Sequence, residues 1–254
     1  MSDPGARLYA ALGVPATAQV DRRVAKSALV ERGGLSSADK KVVDAGVERL
    51  MWRSTLTPQS VALRPLVDDT RDYSQMVVMS AILRPGAAVD RVADLIHRAI
   101  AHPLTLILQT DAAACLSVGL KRRHEREAGR VVMERLSASP GVHDGDDQVE
   151  TAFLNSLNLA VTGAGDLWSL HTRWGERIEA FSAARITGRF RPPVDSQDAE
   201  RRREALVQHG AVSRDLERLR KRARSERQLN RRIALANEVA REEGRLADLD
   251  TLLA

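Results

Sequence analysis

The stretch from Ser196 to the last residue constrains the fold most, because it is long, highly charged and nearly free of residues that end a helix. Gly210 and Gly244 are its only glycines, and it contains no proline. Its apolar residues fall on one narrow stripe: Leu216, Leu219, Ala223, Ile233, Ala240, Leu246, Leu249 and Leu253. This spacing predicts a helix over residues 214–252 that would be roughly 58 Å long. Because so thin an apolar face cannot stabilise a helix alone, we expect a hairpin, a coiled coil or a helix lying on a partner.

Positive charge is concentrated within this stretch. Residues 218–232 contain eight Arg or Lys and one acid, whereas the rest of the chain contains 31 bases and 33 acids, a net charge of −2. Clustered cations attract polyanions and release counterions on binding, and the planar fork of Arg suits phosphate or carboxylate. The predicted binding residues for a nucleic acid or a partner are Arg218, Arg220, Lys221, Arg222, Arg224, Arg227, Gln228, Arg231 and Arg232.

A second basic cluster follows a predicted strand and begins at Lys121, Arg122 and Arg123. It could extend the same binding surface. The alternative is a charged hairpin loop that protects a sheet edge from pairing with other chains.

Composition limits the class of protein. Hydrophobic residues make up 43% of the chain but aromatic residues only 3%, so the core must be built from aliphatic side chains. The single cysteine, Cys115, excludes an internal disulfide. No run approaches the roughly 18 apolar residues of a membrane-spanning helix, and the run Leu8–Val14 is too short for the core of a signal peptide. We therefore expect a cytoplasmic protein without membrane contact.

The middle of the chain predicts an α+β fold. Apolar runs of strand length occur at Gln75–Leu83 and Leu104–Gln109, with a helical stripe over Val89–Ile100 between them. Two further strands are predicted at Ala114–Leu120 and Val131–Leu136. A helical crossover joins parallel strands and short turns join antiparallel ones, so we expect a small mixed β-sheet flanked by helices.

Three segments are predicted on this basis. Residues 1–57 read as a helical segment that packs on the core, with helices over Val20–Arg32, stopped by Gly33-Gly34, and from Ser36 to Trp52. Residues 58–191 form the α+β core, beginning with a strand at Ser60–Val67. Residues 196–254 form the basic helical extension, after the break at Arg191-Pro192-Pro193.

The residues that could carry catalysis are few. A nuclease of the restriction type needs a strand aspartate followed by Glu-x-Lys to hold a divalent cation. Asp111 and Lys121 are the nearest candidates, but Gly119 stands where the acid is needed. The six histidines show no metal-ligand spacing. We therefore expect no catalytic residue, metal or cofactor, and keep a metal-dependent nuclease, degenerate or genuine, as the alternative.

The segment Ser225–Glu243 resembles the C-terminal signature of a bacterial family, domain of unknown function 4391. Its matching residues are Glu226, Gln228, Asn230, Arg231, Arg232 and Asn237. Trp52–Leu63, Ile100–Leu108 and Leu157–Leu159 are similar to the family pattern in the same order, so the resemblance spans most of residues 8–250. It implies a setting beside DNA methyltransferases and helicases of restriction or phage-defence systems.

The signature has two interpretations. Glu226, Asn230 and Asn237 are spaced to share one helical face, where polar residues set the register of packed helices. In the other interpretation Gln228, Arg231 and Arg232 contact nucleic acid or another subunit. The leading hypothesis is a non-catalytic accessory subunit of a DNA-modification or phage-defence complex that binds DNA, another polyanion or a methyltransferase or helicase subunit. A purely structural coiled-coil adaptor, which would form homo-oligomers through the C-terminal helix, is the third hypothesis.

Overall fold

The computed structural model of the chain describes residues 3–32, 34–127 and 130–254. It divides into two compact units, one extending to Ile178 and the other from Glu179 to Ala254. The α+β class is confirmed, with a mixed sheet, flanking helices and a long helical region at the C-terminal end. No helix within the described ranges is both long and apolar enough to cross a membrane.

The elements follow one another in chain order. The strands are β1 (Gln19–Arg23), β2 (Val47–Leu56), β3 (Leu66–Val67), β4 (Asp72–Tyr73), β5 (Met76–Leu83), β6 (Leu104–Gln109), β7 (Ala114–Arg123) and β8 (Val131–Ala138). The helices are α1 (Pro4–Ala11), α2 (Lys26–Arg32), α3 (Ser37–Gly46), α4 (Pro58–Val61), α5 (Val89–Ala99), α6 (Gln148–Ser156), α7 (Leu159–Thr162), α8 (Leu167–Thr187), α9 (Ser196–Ser225) and α10 (Leu229–Leu253).

The main sheet of the first unit has six strands in the order β1-β2-β5-β6-β7-β8. β5 and β6 are parallel and are joined through α5, whereas the other neighbouring pairs are antiparallel. This is the arrangement that the helical crossover and the short turns predict. The strands β3 and β4 form a separate two-stranded ribbon.

The core of the first unit lies on the central strands. On β5, Val77, Met79 and Ala81 point to one face and pack in a cluster with Val92 and Ile96 of α5. Met76 and Val78 of β5 and Thr105 and Ile107 of β6, which point to the other face, are also buried, so both faces of these strands are largely covered. Continuous apolar runs rather than alternating ones are typical of such strands.

The prediction for the N-terminal segment is wrong in part. Val20–Arg32 is the strand β1 followed by the shorter α2, and the predicted stop at Gly33 lies outside the described residues. Ser36 does cap α3, its Oγ accepting from the Asp39 amide at 3.2 Å, but this helix ends at Gly46 and β2 follows. The expected strand at Ser60–Val67 is mostly α4 and loop. The first 57 residues thus supply two strands of the main sheet.

The second unit contains a helical hairpin. α9 and α10 pack against each other and are joined by residues 226–228. The prediction of a continuous helix over residues 214–252 is therefore wrong, whereas the hairpin is confirmed. The inner face buries Val212 and Leu216 of α9 and Leu235, Leu249 and Leu253 of α10. Folding back lets each thin apolar stripe be covered by the other helix, which one extended helix could not do.

Candidate nucleic-acid interface

The residues predicted to bind a polyanion lie together at one end of the hairpin. Residues 218–232 comprise the last turns of α9, the connection and the first turn of α10, and we call this segment the basic end. All eight of its Arg and Lys side chains and Gln228 are exposed. The break between the helices thus brings basic residues from two helices to one place.

Few of these cations are neutralised by the acids of the chain. Arg218 pairs with Asp215 one turn earlier, and Arg220 Nη2 lies 2.6 Å from Glu243 Oε1 on α10. Among the described residues, the other six cations have no ion pair: Lys221, Arg222, Arg224, Arg227, Arg231 and Arg232. Exposed, unpaired and close in sequence, they give the basic end a strong positive potential.

An exposed apolar pair accompanies this charge. Leu229 and Ile233, four residues apart on α10, are 58% and 52% exposed. Side chains at this spacing lie on the same side of a helix. The basic end therefore offers a small apolar contact beside Arg231 and Arg232.

The three residues of the expected polar seam do not share a helical face. Glu226 lies in the connection, where its Oε1 accepts from the Gln228 amide at 2.8 Å. Asn230 and Asn237 lie on α10 and are exposed. Glu226 thus shapes the turn, because its carboxylate binds an amide that helical bonding leaves free.

The second basic cluster differs from the basic end. Lys121 is only 4% exposed, and its ammonium donates to the carbonyl oxygens of His97, at 2.8 Å, and of Ile100. Arg122 pairs with Glu125 and Arg123 with Asp72. The prediction that Lys121 contacts a ligand is corrected: the side chain binds the last carbonyls of α5, which have no partner within the helix.

A buried polar network surrounds the backbone of Lys121. Its amide donates to Tyr73 Oη at 3.2 Å, and this hydroxyl lies 3.3 Å from His171 Nδ1. His171 Nε2 lies 3.1 Å from the carbonyl oxygen of Leu104, which requires the proton on Nε2 and makes Nδ1 the acceptor. Burial lowers the pKa of His171 to about 3 and that of Lys121 to about 7. The network is a structural link between β4, β6, β7 and α8.

The nuclease candidates are far apart. Asp111 lies in the turn before β7 and Lys121 near the other end of that strand, roughly 25 Å away at the rise of an extended chain. Gly119 faces the imidazole of His97, and a Cβ there would clash with Nδ1. No group of three or more His, Cys, Asp or Glu side chains placed to hold a metal is found in the described ranges.

Two polar side chains just before α6 have structural partners. His143 Nδ1 lies 3.0 Å from Glu150 Oε1, and Asp147 caps α6 by accepting from the amides of Val149 and Glu150. Cys115 is half-buried on β7, and burial raises the pKa of its thiol. A raised pKa leaves less of the reactive thiolate at neutral pH.

These features define an α+β protein that carries a basic helical hairpin. The family described as domain of unknown function 4391 matches residues 12–246, and the chain belongs to this family. The match includes both the main sheet and most of the hairpin. No curated protein and no solved structure matches the chain.

Proposed function

We propose that this protein is a non-catalytic accessory subunit of a bacterial DNA-modification or phage-defence complex, and that the basic end of its hairpin binds DNA. One observation carries the proposal: six exposed cations of the basic end lack an acidic partner among the described residues. Unpaired cations can exchange their counterions for phosphates without first breaking an ion pair. The setting that the family resemblance implies supports DNA as the polyanion.

The test is DNA affinity as a function of salt concentration. The variant Lys221→Gln, Arg224→Gln, Arg227→Gln, Arg231→Gln removes four unpaired cations. If they contact phosphates, the slope of log K against log salt becomes shallower by about 0.9 for each lost contact. Unchanged affinity and slope would contradict the proposal.

A matched control removes the same charge elsewhere. Arg22, Arg23, Lys41 and Arg49 are exposed residues of the first unit, and no ion pair is found for them in the described part of the chain. Replacing all four by Gln lowers the net charge equally. We expect this control to keep most of the salt slope, whereas equal losses in both variants would indicate only an effect of net charge.

The apolar pair Leu229 and Ile233 favours a second candidate, docking of the basic end to another protein. Phosphate contacts need no apolar group, whereas protein interfaces combine Arg with apolar anchors. The variant Leu229→Ser, Ile233→Ser keeps every cation. Loss of co-purification with an adjacent methyltransferase or helicase subunit, with DNA affinity unchanged, would favour the protein partner.

The remaining hypotheses have separate tests. A metal-dependent nuclease predicts cleavage of supercoiled plasmid by the pure protein with Mg²⁺ or Mn²⁺. A structural adaptor predicts oligomers that persist at high salt and disappear when the chain is truncated after Pro193. Neither outcome is expected from a subunit that acts through the charge of its hairpin.

A further inference from the structure

One side of α10 is exposed over its first turns and carries both amide and apolar side chains. Leu235 belongs to the inner face of the hairpin and is buried, whereas Leu229, Asn230, Ile233 and Asn237 are exposed. At 3.6 residues per turn, these four side chains lie within roughly 100° of one another around the helix, on the side away from Leu235. We call these four residues the outer face of α10.

The two asparagines of the outer face are available to a ligand. Asn230 and Asn237 make no hydrogen bond through their side chains in the part of the chain that the structure describes. Each side chain can both donate and accept. Ala236 and Ala240 lie beside them and are exposed, so no long side chain keeps a surface away from the helix backbone here.

Two cations flank the outer face, one on each side. Around the helix, Arg232 lies roughly 100° to one side of Ile233 and Arg241 roughly 80° to the other. Both are exposed, and neither has an ion pair within the described ranges. A helix that lies in a groove of DNA has a phosphate backbone on either side, so this arrangement places a cation toward each backbone.

The acids of α10 lie away from the outer face, have another partner, or both: Glu238, Glu242, Glu243, Asp248 and Asp250. Glu238 and Glu242 lie roughly 130° and 170° from the centre of the outer face around the helix. Glu243 pairs with Arg220 of α9. The two aspartates begin roughly 16 Å beyond Asn237 along the helix axis. An anion can therefore approach the outer face without meeting an unpaired carboxylate.

Amide and apolar side chains on one helical face match an A·T base pair in the major groove. Adenine presents N7 and its amino group there, to which an Asn side chain can make two hydrogen bonds, and thymine presents a methyl group. The groove is about 12 Å wide and admits an α-helix. Asn230 and Asn237 lie roughly 10 Å apart along the helix axis, which corresponds to three base-pair steps of about 3.4 Å.

We propose that the outer face of α10 enters the major groove of duplex DNA and recognises A·T base pairs. Each of the two asparagines binds an adenine, the apolar pair covers thymine methyl groups, and the two flanking arginines contact phosphates on the two strands. The inference rests on the proposed function and extends it. The basic end supplies affinity for any DNA, whereas contacts of the outer face with bases select the sequence.

Fluorescence anisotropy with two duplexes of equal length tests the inference, one composed only of A·T pairs and one only of G·C pairs. We expect the wild type to bind the A·T duplex at least about fivefold more tightly, the lower end for one bidentate base contact. Asn230→Ala, Asn237→Ala should abolish this preference and keep the affinity for the G·C duplex. Both side chains are exposed and alanine favours a helix, so the variant should fold. Gln208→Ala, at an exposed amide of α9 far from the basic end, is the control and should keep the preference.

A third duplex, with 7-deazaadenine in place of adenine, locates the contact. It lacks the N7 acceptor of the major groove and keeps the groups of the minor groove, so we expect it to lose the preference. The inference is overturned if the wild type binds all duplexes equally, or if the preference survives the double asparagine variant or the 7-deazaadenine substitution. The proposed function would still hold in these cases if the four-residue variant of the basic end makes the salt slope shallower. No DNA binding by the wild type would overturn both.

Discussion

The ammonium of Lys121 lies 2.8 Å from the carbonyl oxygen of His97 and also contacts that of Ile100, so a strand lysine closes the C-terminal end of α5. This position explains why a residue from a basic run is buried. The carbonyl groups at the end of a helix carry partial negative charge and need donors. The ammonium supplies them, at the expense of its own hydration.

Stability should consequently depend on the protonation of Lys121. Burial lowers its pKa to about 7 in the folded state, from 10.5 in the unfolded chain. Between pH 7 and 9 the unfolded state holds more protons, so the free energy of unfolding rises with pH. We expect this rise to be larger in the wild type than in Lys121→Met by roughly 2 kcal/mol. Urea denaturation at pH 7 and 9 measures it.

The comparison between the wild type and Lys121→Met isolates the contribution of Lys121 to the pH dependence of stability. Burial also raises the pKa values of Cys115 and Tyr73, which gives the opposite dependence above pH 9, but both proteins share these groups. Lys41→Met, at an exposed lysine, is the control and should follow the wild-type profile. Parallel profiles of wild type and Lys121→Met would show that Lys121 does not titrate in this range.

His171 should produce a dependence on the acid side. Its pKa is about 3 when folded and 6.5 when unfolded, because burial disfavours the imidazolium. As pH falls below 6.5 the unfolded state takes up a proton that the folded state does not, and stability decreases. Between pH 7 and 4.5 we expect the wild type to lose roughly 2 kcal/mol more than His171→Gln. If urea titrations show that the wild type and His171→Gln lose equal stability between pH 7 and 4.5, His171 is not held neutral in the folded protein.

Gly119 should not tolerate a side chain. Alanine there would place Cβ against Nδ1 of His97, whose Nε2 is held 2.9 Å from Ser117 Oγ. Overpacking of this kind typically costs about 1–3 kcal/mol. Gly175→Ala is the control in the same unit, since its Cβ would meet only ordinary contacts, the nearest at 3.7 Å, within a helix. Thermal unfolding should show a lower Tm for Gly119→Ala and an unchanged or higher Tm for Gly175→Ala.

The sequence predicted the centre of the sheet well and its first two strands poorly. β6 has the bounds that its apolar run indicates, and α5 differs from its predicted bounds by one residue. Both segments have a clear apolar pattern and are bounded by Pro or Gly, so the sequence favours a single secondary structure for each. Val47, Leu50 and Met51 fit a helical spacing, yet they lie on the strand β2. Pairing with β5 makes this segment a strand, and the spacing of its apolar residues does not show that pairing. β1 is fully exposed and therefore carries no alternating pattern.

The candidate site was predictable in composition but not in geometry. The concentration of charge in the sequence identified the residues of the basic end. The break between the helices at 226–228 was not predictable, because it contains neither Gly nor Pro and follows from the packing of α9 on α10. Lys121 and Arg122 are adjacent in one basic run, but only the strand register places the first inside the protein.

The ion pair between Arg220 and Glu243 gives a prediction about the basic end. Both side chains are 47% exposed, so the pair contributes only about 0.2–1 kcal/mol and its loss should hardly change the Tm. Glu243→Gln adds Arg220 to the unpaired cations. If the basic end binds DNA, affinity rises and the salt slope steepens by up to about 0.9. Asp248→Asn changes the net charge equally near the other end of α10 and is the control. An equal gain from both substitutions, measured by fluorescence anisotropy, would show that Arg220 makes no specific contact with the phosphate backbone.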